Sequence, residues 1–473
     1  MTECKPEQLE FHALGRRAVV GKFDGGMISS DGGGLLLAEV ETKTKIVERL
    51  AQQFVDHRDP DAIEHTVRDL VGQRVFALAL GYEDLNDHDR LRFDPLLALV
   101  VGKEDPSGQD RLCERDKGKA LASSSTLNRL ELTPPDADAT ARDKKIVADP
   151  DGMDRWFVDR FLESHEHPPA QIWIDLDATD APTHGQQEGR FFHGYYGHYC
   201  YLPLYIFSGE HLLCARLRPS NIDASAGSLE ELDRIVGQIR AQWPKTKLII
   251  RGDSGFCREA IMAWCERHGI DFVLGIAKNA RLLTLSLSAR IQAQIADLDR
   301  GAPSRVFCEF SYRTRDSWSR ARRVVAKAEY LAKGANPRFV VTSLASEQAD
   351  ARTLYEELYC ARGGMENRIK EQQLDLFAER TSTHTLRANQ IRLYFASFAY
   401  VLLCAFRHHG LEGTELEHAQ CGNIRVKLLK IGAQLRISVR RIWISFSESY
   451  PDAELFRQIL HNLRSPPPCL GTT

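Results

Sequence analysis

Between Ala170 and Lys278 the chain alternates β-prone apolar runs with amphipathic helical ones, which restricts it to folds in which helices cover a sheet. The run QIWIDLD comes first, then strands around Tyr199 to Phe207 and Leu212 to Leu217, the helical SLEELDRIVGQIRAQW and the strand KLIIRGD. Helix CREAIMAWCERHG and strand DFVLGIAK complete the series. Three strands, a helix, a strand, a helix and a strand make an α/β arrangement in which the first and fourth strands can lie side by side. Asp177 and Asp253 end those two strands and become neighbours if they do.

A third acid lies far downstream. The string YCARGGMENRIKEQQ spaces Tyr359, Arg362, Glu366 and Lys370 three and four residues apart, which on a helix gathers them onto one side. Arg362 then has two readings: an intrahelical salt bridge to Glu366, or paired guanidinium donors aimed at phosphate oxygens. Two aspartates and a glutamate form an all-oxygen donor set suited to hard ions, Mg2+ or Mn2+. A pair of such ions can activate an attacking oxygen and stabilise the leaving one, so phosphoryl transfer is the natural chemistry. Asp175 and Asp180 rival Asp177 for the first position, because alternation along a strand puts Asp175 and Asp177 on the same face.

Phosphoryl transfer on nucleic acid needs a basic surface, yet the formal net charge is −3, so any such surface is local. Cys421 to Ser445 carries Arg425, Lys427, Lys430, Arg436, Arg440 and Arg441 without an acid. Trp318 lies among Arg313, Arg315, Arg320, Arg322 and Arg323, where it either stacks on an unpaired base or fills a core. Helix ASSSTLNRLEL opens on a serine cluster that can cap it and carries Asn128 and Arg129, either to dock on DNA or merely to close its domain. The eleven cysteines are never spaced C-x-x-C, which argues against a disulfide framework or structural zinc and fits a reduced, cytoplasmic setting. Neither a secretory leader nor a membrane-spanning run is read, and LYFASFAYVLLCAF is expected to be a buried helix.

Five regions follow: a mostly helical 1–132, a linker and connecting helix at 133–168, a catalytic core at 169–279 and 346–410, a β-rich insertion at 280–345, and a basic helical 411–473. The insertion rests on RVFCEFSYRT, RRVVAKAEYL and RFVVTSL, the linker on TPPDADATARDKK.

The segments DLDATD, RGDSGF and YCARGGMENRIK resemble the three signature regions of DDE transposases, and the chain most resembles the insertion-sequence-1380 family. HGQQEGRFFHGYYGHYCYLPLYIF, SWSRARRVVAKAEY, SDGGGLLLAEVETK and SSSTLNRLEL extend the likeness over nearly the whole length. The resemblance implies a ribonuclease-H-like core interrupted by an all-β insertion, similar to insertion-sequence-4 and piggyBac-like transposases. It also implies two Mg2+ or Mn2+ ions on Asp177, Asp253 and Glu366, with Tyr359, Arg362, Lys370, Trp318, Arg320, Arg322, Arg323, Asn128 and Arg129 toward DNA. Related insertion sequences carry a lysine where this chain has Gln373, with Lys370 the nearest substitute. Implied partners are terminal inverted repeats and target DNA, bound by a homodimer, with cut-and-paste transfer by water or through a DNA hairpin. A nuclease or resolvase on the same core, a silent DNA-binding descendant and a helical scaffold are the alternatives.

Overall fold

The computed structural model describes residues 8–300, 304–331 and 334–465. Residues 1–7 and 466–473 of the expected terminal regions, and 301–303 and 332–333 of the expected insertion, lie outside the described residues. The backbone divides into two compact units, Asp149–Ser397 and a second made of Met1–Ala148 with Phe398–Thr473.

The Asp149–Ser397 unit is built on one mixed sheet. Its main strands are β1 (Gln171–Ala178), β2 (Leu204–Ser208), β3 (His211–Arg216), β4 (Lys247–Gly252), β5 (Asp271–Ile276), β6 (Ser304–Tyr312), β7 (Arg322–Leu331) and β8 (Arg338–Thr342). Their order across the sheet is β3-β2-β1-β4-β5-β8-β7-β6. β1, β4 and β5 run parallel, and every other pairing along that path is antiparallel. Side chains alternate between two covered faces, which is why β1 and β4 read as almost continuous apolar runs. Ile172, Ile174, Leu248 and Ile250 join one core cluster with helices α1 (Ser228–Gln242) and α2 (Glu259–Arg267). In α1, Leu232, Ile235, Val236 and Ile239 recur at three- and four-residue spacing and supply that helix's buried stripe. The opposite face collects Ile249, Val273, Val325 and Val340 with Leu354, Tyr355 and Tyr359.

Residues 280–345 carry strands at all three expected segments and differ from the expected β-rich insertion in two respects. They open with helices Ala280–Leu285 and Leu287–Arg300, and their main strands extend the central sheet, β8 pairing directly with β5. Leu282, Ala289 and Ala293, buried at helical spacing, explain the helices. Val324, Ala326, Val325 and Val340 explain the sheet extension, because their strands bury both faces and have to lie inside a larger sheet.

In the other unit, helices Gly34–Thr44, Val67–Leu80 and Pro95–Val101 pack through fully buried leucines and valines. Thr66 and Asp69 form a reciprocal capping box on the second of these, and Gly81 closes it at φ 96°. The region expected to be helical from 411 contains an antiparallel hairpin, Ala433–Ile437 with Ile442–Phe446. Ala433 and Leu435 turn inward while Gln434 and Arg436 turn outward, a period of two that the run of basic residues masked. Helix Leu386–Phe406 holds the apolar run with Tyr394, Phe395, Phe398 and Tyr400 buried, and no helix among the described residues is long and apolar enough to cross a membrane.

Candidate active site

Parallel pairing of β1 and β4 aligns Arg251 with Asp175 and Gly252 with Leu176. One step further along the same register places Asp253 opposite Asp177, at the carboxyl ends of adjacent parallel strands, where α/β sheets collect ligands. Both aspartates belong to the alternation that turns Trp173 and Ile249 toward the face packed by Leu354, Tyr355 and Tyr359.

The chain over that face changes helical pitch as it passes the strand ends. Leu354–Tyr359 is π-helical, Cys360–Arg362 is 3-10, Gly363–Lys370 is α-helical and Glu371–Asp375 is π-helical again. Such interruptions cluster at functional sites because they re-aim side chains without breaking the helix. Here Arg362 is brought to the strand ends: its Nη1 donates to Asp177 Oδ2 at 3.2 Å and its Nη2 to Glu366 Oε1 at 2.7 Å. Tyr359 is half-buried beside it, and burial raises its hydroxyl pKa. Gly275 on β5 makes room for that ring: a Cβ there would lie 2.5 Å from the Tyr359 hydroxyl and 3.2 Å from the Ser254 nitrogen. Gly275→Ala is therefore expected to displace Tyr359 or the Asp253 turn and to destabilise the protein by about 1–3 kcal/mol, the usual cost of overpacking. Thermal unfolding of the variant checks this.

Electrostatics at the strand ends favour a cation. The Asp177 carboxyl is pushed up to about 6, first by burial, with Arg362 opposing and Asp253 and Glu366 adding to the rise. Asp253 Oδ1 accepts a hydrogen bond from the Gly255 backbone at 2.8 Å, while Glu366 is nearly half exposed at 46 %. Among the described residues no three His, Cys, Asp or Glu side chains stand close enough together to hold a metal ion. One guanidinium, that of Arg362, bridges Asp177 and Glu366. By donor chemistry alone, Asp177, Asp253 and Glu366 offer carboxylate oxygens, the type a hard divalent ion takes, and burial is the first cause that raises the Asp177 carboxyl.

Because its folded value is raised, Asp177 contributes stability that is full below its unfolded value of 3.8 and is lost as pH rises through about 6. In metal-free protein, Asp177→Asn should therefore leave the stability unchanged at acid pH and raise it by about 2–3 kcal/mol near pH 8. Urea denaturation across that range in the presence of a chelator reads the difference.

The rivals of Asp177 are engaged elsewhere. Asp175 is 4 % exposed and takes Arg251 Nε and Nη2 at 2.5 and 2.7 Å. Asp180 Oδ2 pairs with His198 Nε2 at 2.8 Å. Lys370 is exposed, whereas Gln373, at the position of the expected lysine, donates to the Asp180 carbonyl at 2.9 Å.

Trp318 and Arg322 are turned inward, which removes them from their expected place at a DNA surface, whereas Arg313, Arg315 and Arg320 are exposed. Trp318 is 6 % exposed, packs edge-on against Tyr312 at 5.5 Å and belongs to the main core. Arg322 pairs with Glu259 and Glu266, Arg320 with Glu266, and Arg323 with Glu309 and the carbonyls of Leu344 and Ala349. In the other unit, Asn128 and Arg129 are half-buried on helix Ser124–Leu132. Its N-cap residue is Ser123, whose side chain makes no capping bond; instead Asp89 accepts from the Ser124 backbone at 3.0 Å and from its hydroxyl at 2.8 Å. Sequence reasoning missed Arg251, Gly275 and Asp89. The alternation that paired Asp177 with Asp253 also pairs Asp175 with Arg251, and was the available signal.

The sequence model of the family described as Transposase DDE domain group 1 matches residues 11–468. No curated protein matches this sequence. Among solved structures, a piggyBac transposase synaptic complex with hairpin DNA is similar at 11% identity and a TM-score of 0.39, covering 93% of this chain and 87% of that one.

Proposed function

We propose, for a chain that belongs to the transposase DDE domain group 1 family, that Asp177, Asp253 and Glu366 are the metal-binding carboxylates of DNA cleavage and strand transfer. The carrying observation is the convergence of Asp177 and Asp253 at neighbouring parallel strand ends, with Glu366 joined to Asp177 through Arg362. The strand order β3-β2-β1-β4-β5, with an antiparallel meander leading into parallel strands, supports a ribonuclease-H-like reading of this core. The signature segments support placement in the insertion-sequence-1380 group.

Divalent ions, Mg2+ or Mn2+, bound by these carboxylates would supply Lewis-acid activation of the attacking oxygen and stabilisation of the leaving one. The chain's own contribution is placement. Asp177 and Asp253 are carried by paired strands, and the Gly255 backbone orients one Asp253 oxygen, leaving the other for a ligand. Arg362, held by two of the acids, is positioned to exchange those contacts for phosphate oxygens as DNA enters. Tyr359 packs beside it and limits water at the strand ends. Lys370, exposed on the same helix, is a backbone-phosphate contact, with Asn128 and Arg129 a second DNA-facing pair. A reaction that joins element ends to a target needs both ends held together, so a homodimer on DNA is the expected assembly.

The test is a plasmid carrying an element with its terminal repeats, incubated with protein and Mg2+. Joined product supports the transposase. Cutting without joining assigns a nuclease, and end binding without cutting assigns a silent descendant. A scaffold would show no dependence on metal, and hairpin-ended donor DNA separates the two routes of second-strand cleavage.

A further inference from the structure

The basic stripe between Arg425 and Arg441 divides into a half bound internally and a half left free. Arg425 donates to the carbonyls of Ala79 and Leu78, Lys430 pairs with buried Asp31 at 2.6 Å, and Lys427 lies 3.6 Å from Glu415. Arg436, Arg440 and Arg441 are exposed, and none of them has an ion pair among the described residues. All three lie on the hairpin Ala433–Ile437 and Ile442–Phe446.

The hairpin's shape separates the two halves further. Strand Met27–Ser29 pairs only with Ala433–Leu435, so beyond Leu435 the ribbon has two strands. Arg436 lies directly across from Trp443, and cross-strand partners share a face. Trp443 is 54 % exposed with the Arg441 guanidinium 5.5 Å from its ring centroid. At the turn, Ser438 and Arg441 exchange backbone hydrogen bonds, which leaves Val439 and Arg440 fully outside. No acid occurs from Gly432 to Phe446. A ribbon buries little, so three unpaired guanidiniums and an open indole do nothing for its own stability and instead suit an anionic partner with flat, stackable surfaces.

We infer that the distal hairpin, from Arg436 to Trp443, is a duplex-DNA-binding arm whose three arginines contact backbone phosphates. A two-stranded ribbon matches the width of the major groove, and guanidiniums on its face and tip reach the phosphates that border it. The Trp443 ring lies against the Arg441 guanidinium, an arrangement that leaves the guanidinium edge for phosphate, and Arg436 stands across the ribbon from it. The inference rests on DNA being the substrate and adds a binding element separate from the carboxylates.

Fluorescence anisotropy of a mixed-sequence duplex, titrated with full-length protein over a salt series, tests it. The variant R436Q/R440Q/R441Q is expected to bind more weakly, with the slope of log affinity against log salt reduced by about 2.7, about 0.9 for each lost phosphate contact. Its melting temperature should equal that of the wild type, because no ion pair is removed. Trp443→Ala should weaken binding with a smaller change in slope. An unchanged salt slope in the triple variant would overturn the inference, and loss of polyglutamate binding in its place would assign the arm to an acidic protein. Cleavage by the wild type is read separately: duplex binding without any cutting overturns the proposed function and leaves the arm standing.

Discussion

Asp253→Asn is expected to lower metal-dependent strand cleavage by at least about a thousandfold, roughly 4 kcal/mol of transition-state stabilisation, while DNA binding is kept. The substitution is conservative in structure. The bond from the Gly255 backbone to Asp253 Oδ1 can be kept by an amide oxygen, so the turn after β4 retains its shape. The change falls on charge, which a hard cation needs and an amide does not supply. Asp177→Asn should match it in cleavage but not in stability, since burial already holds that carboxyl up at about 6. Glu366→Gln should keep one acceptor toward Arg362 on an exposed helix face and still lose activity. Single-turnover cutting of end-labelled DNA in Mg2+ and in Mn2+ measures all three. Cleavage by Asp253→Asn at the wild-type rate would remove the carboxylates from the mechanism.

The adjacency of Asp177 and Asp253 was legible because two apolar runs of similar length, each ending in an acid, imply parallel strands in register. The pair beneath them was equally available. Arg251 precedes Asp253 by the same two residues that separate Asp175 from Asp177, yet charges inside strands read as exceptions rather than partners. Lys370 marks a different limit. Arguments from a 3.6-residue turn cannot detect the π-helical turns on either side of Gly363–Lys370, and these decide that Gln373, not Lys370, reaches the loop after β1. Of the two readings of Trp318 the core one holds, for a physical reason: Arg320, Arg322 and Arg323 beside it find their acids on α2 and β6, and sequence distance hides such pairing. The C-terminal hairpin was hidden by composition, since the short strand Ala433–Ile437 with its one arginine lies among Arg425, Lys427, Lys430, Arg440 and Arg441, which look the same as basic residues scattered along a helix face.

Arg251→Ala is expected to destabilise the protein by about 3–5 kcal/mol, the cost of leaving a buried carboxylate without its partner. Asp175 and Arg251 are 5% and 8% exposed at their side chains, and the guanidinium meets both carboxylate oxygens. It also donates to the Leu358 carbonyl and lies 5.0 Å from the Trp173 ring centroid, so one side chain ties β1, β4 and the Tyr359 segment together. Asp175→Asn should also destabilise, because it leaves the buried Arg251 guanidinium without its counter-charge, although the amide oxygen remains as one acceptor. The double variant Asp175→Asn/Arg251→Met should recover much of the loss, since replacing a buried pair by neutral groups of similar volume removes the desolvation of both ions. Urea denaturation gives these stabilities, and their non-additivity measures the coupling. Cleavage by the same variants separates holding the strand ends from binding metal: Asp175→Asn protein that remains folded should still cut DNA, whereas equally folded Asp177→Asn should not. If Asp175→Asn instead abolished cutting without unfolding, the first metal-binding carboxylate would move two residues up the strand, and Arg251 would become the group a cation has to displace.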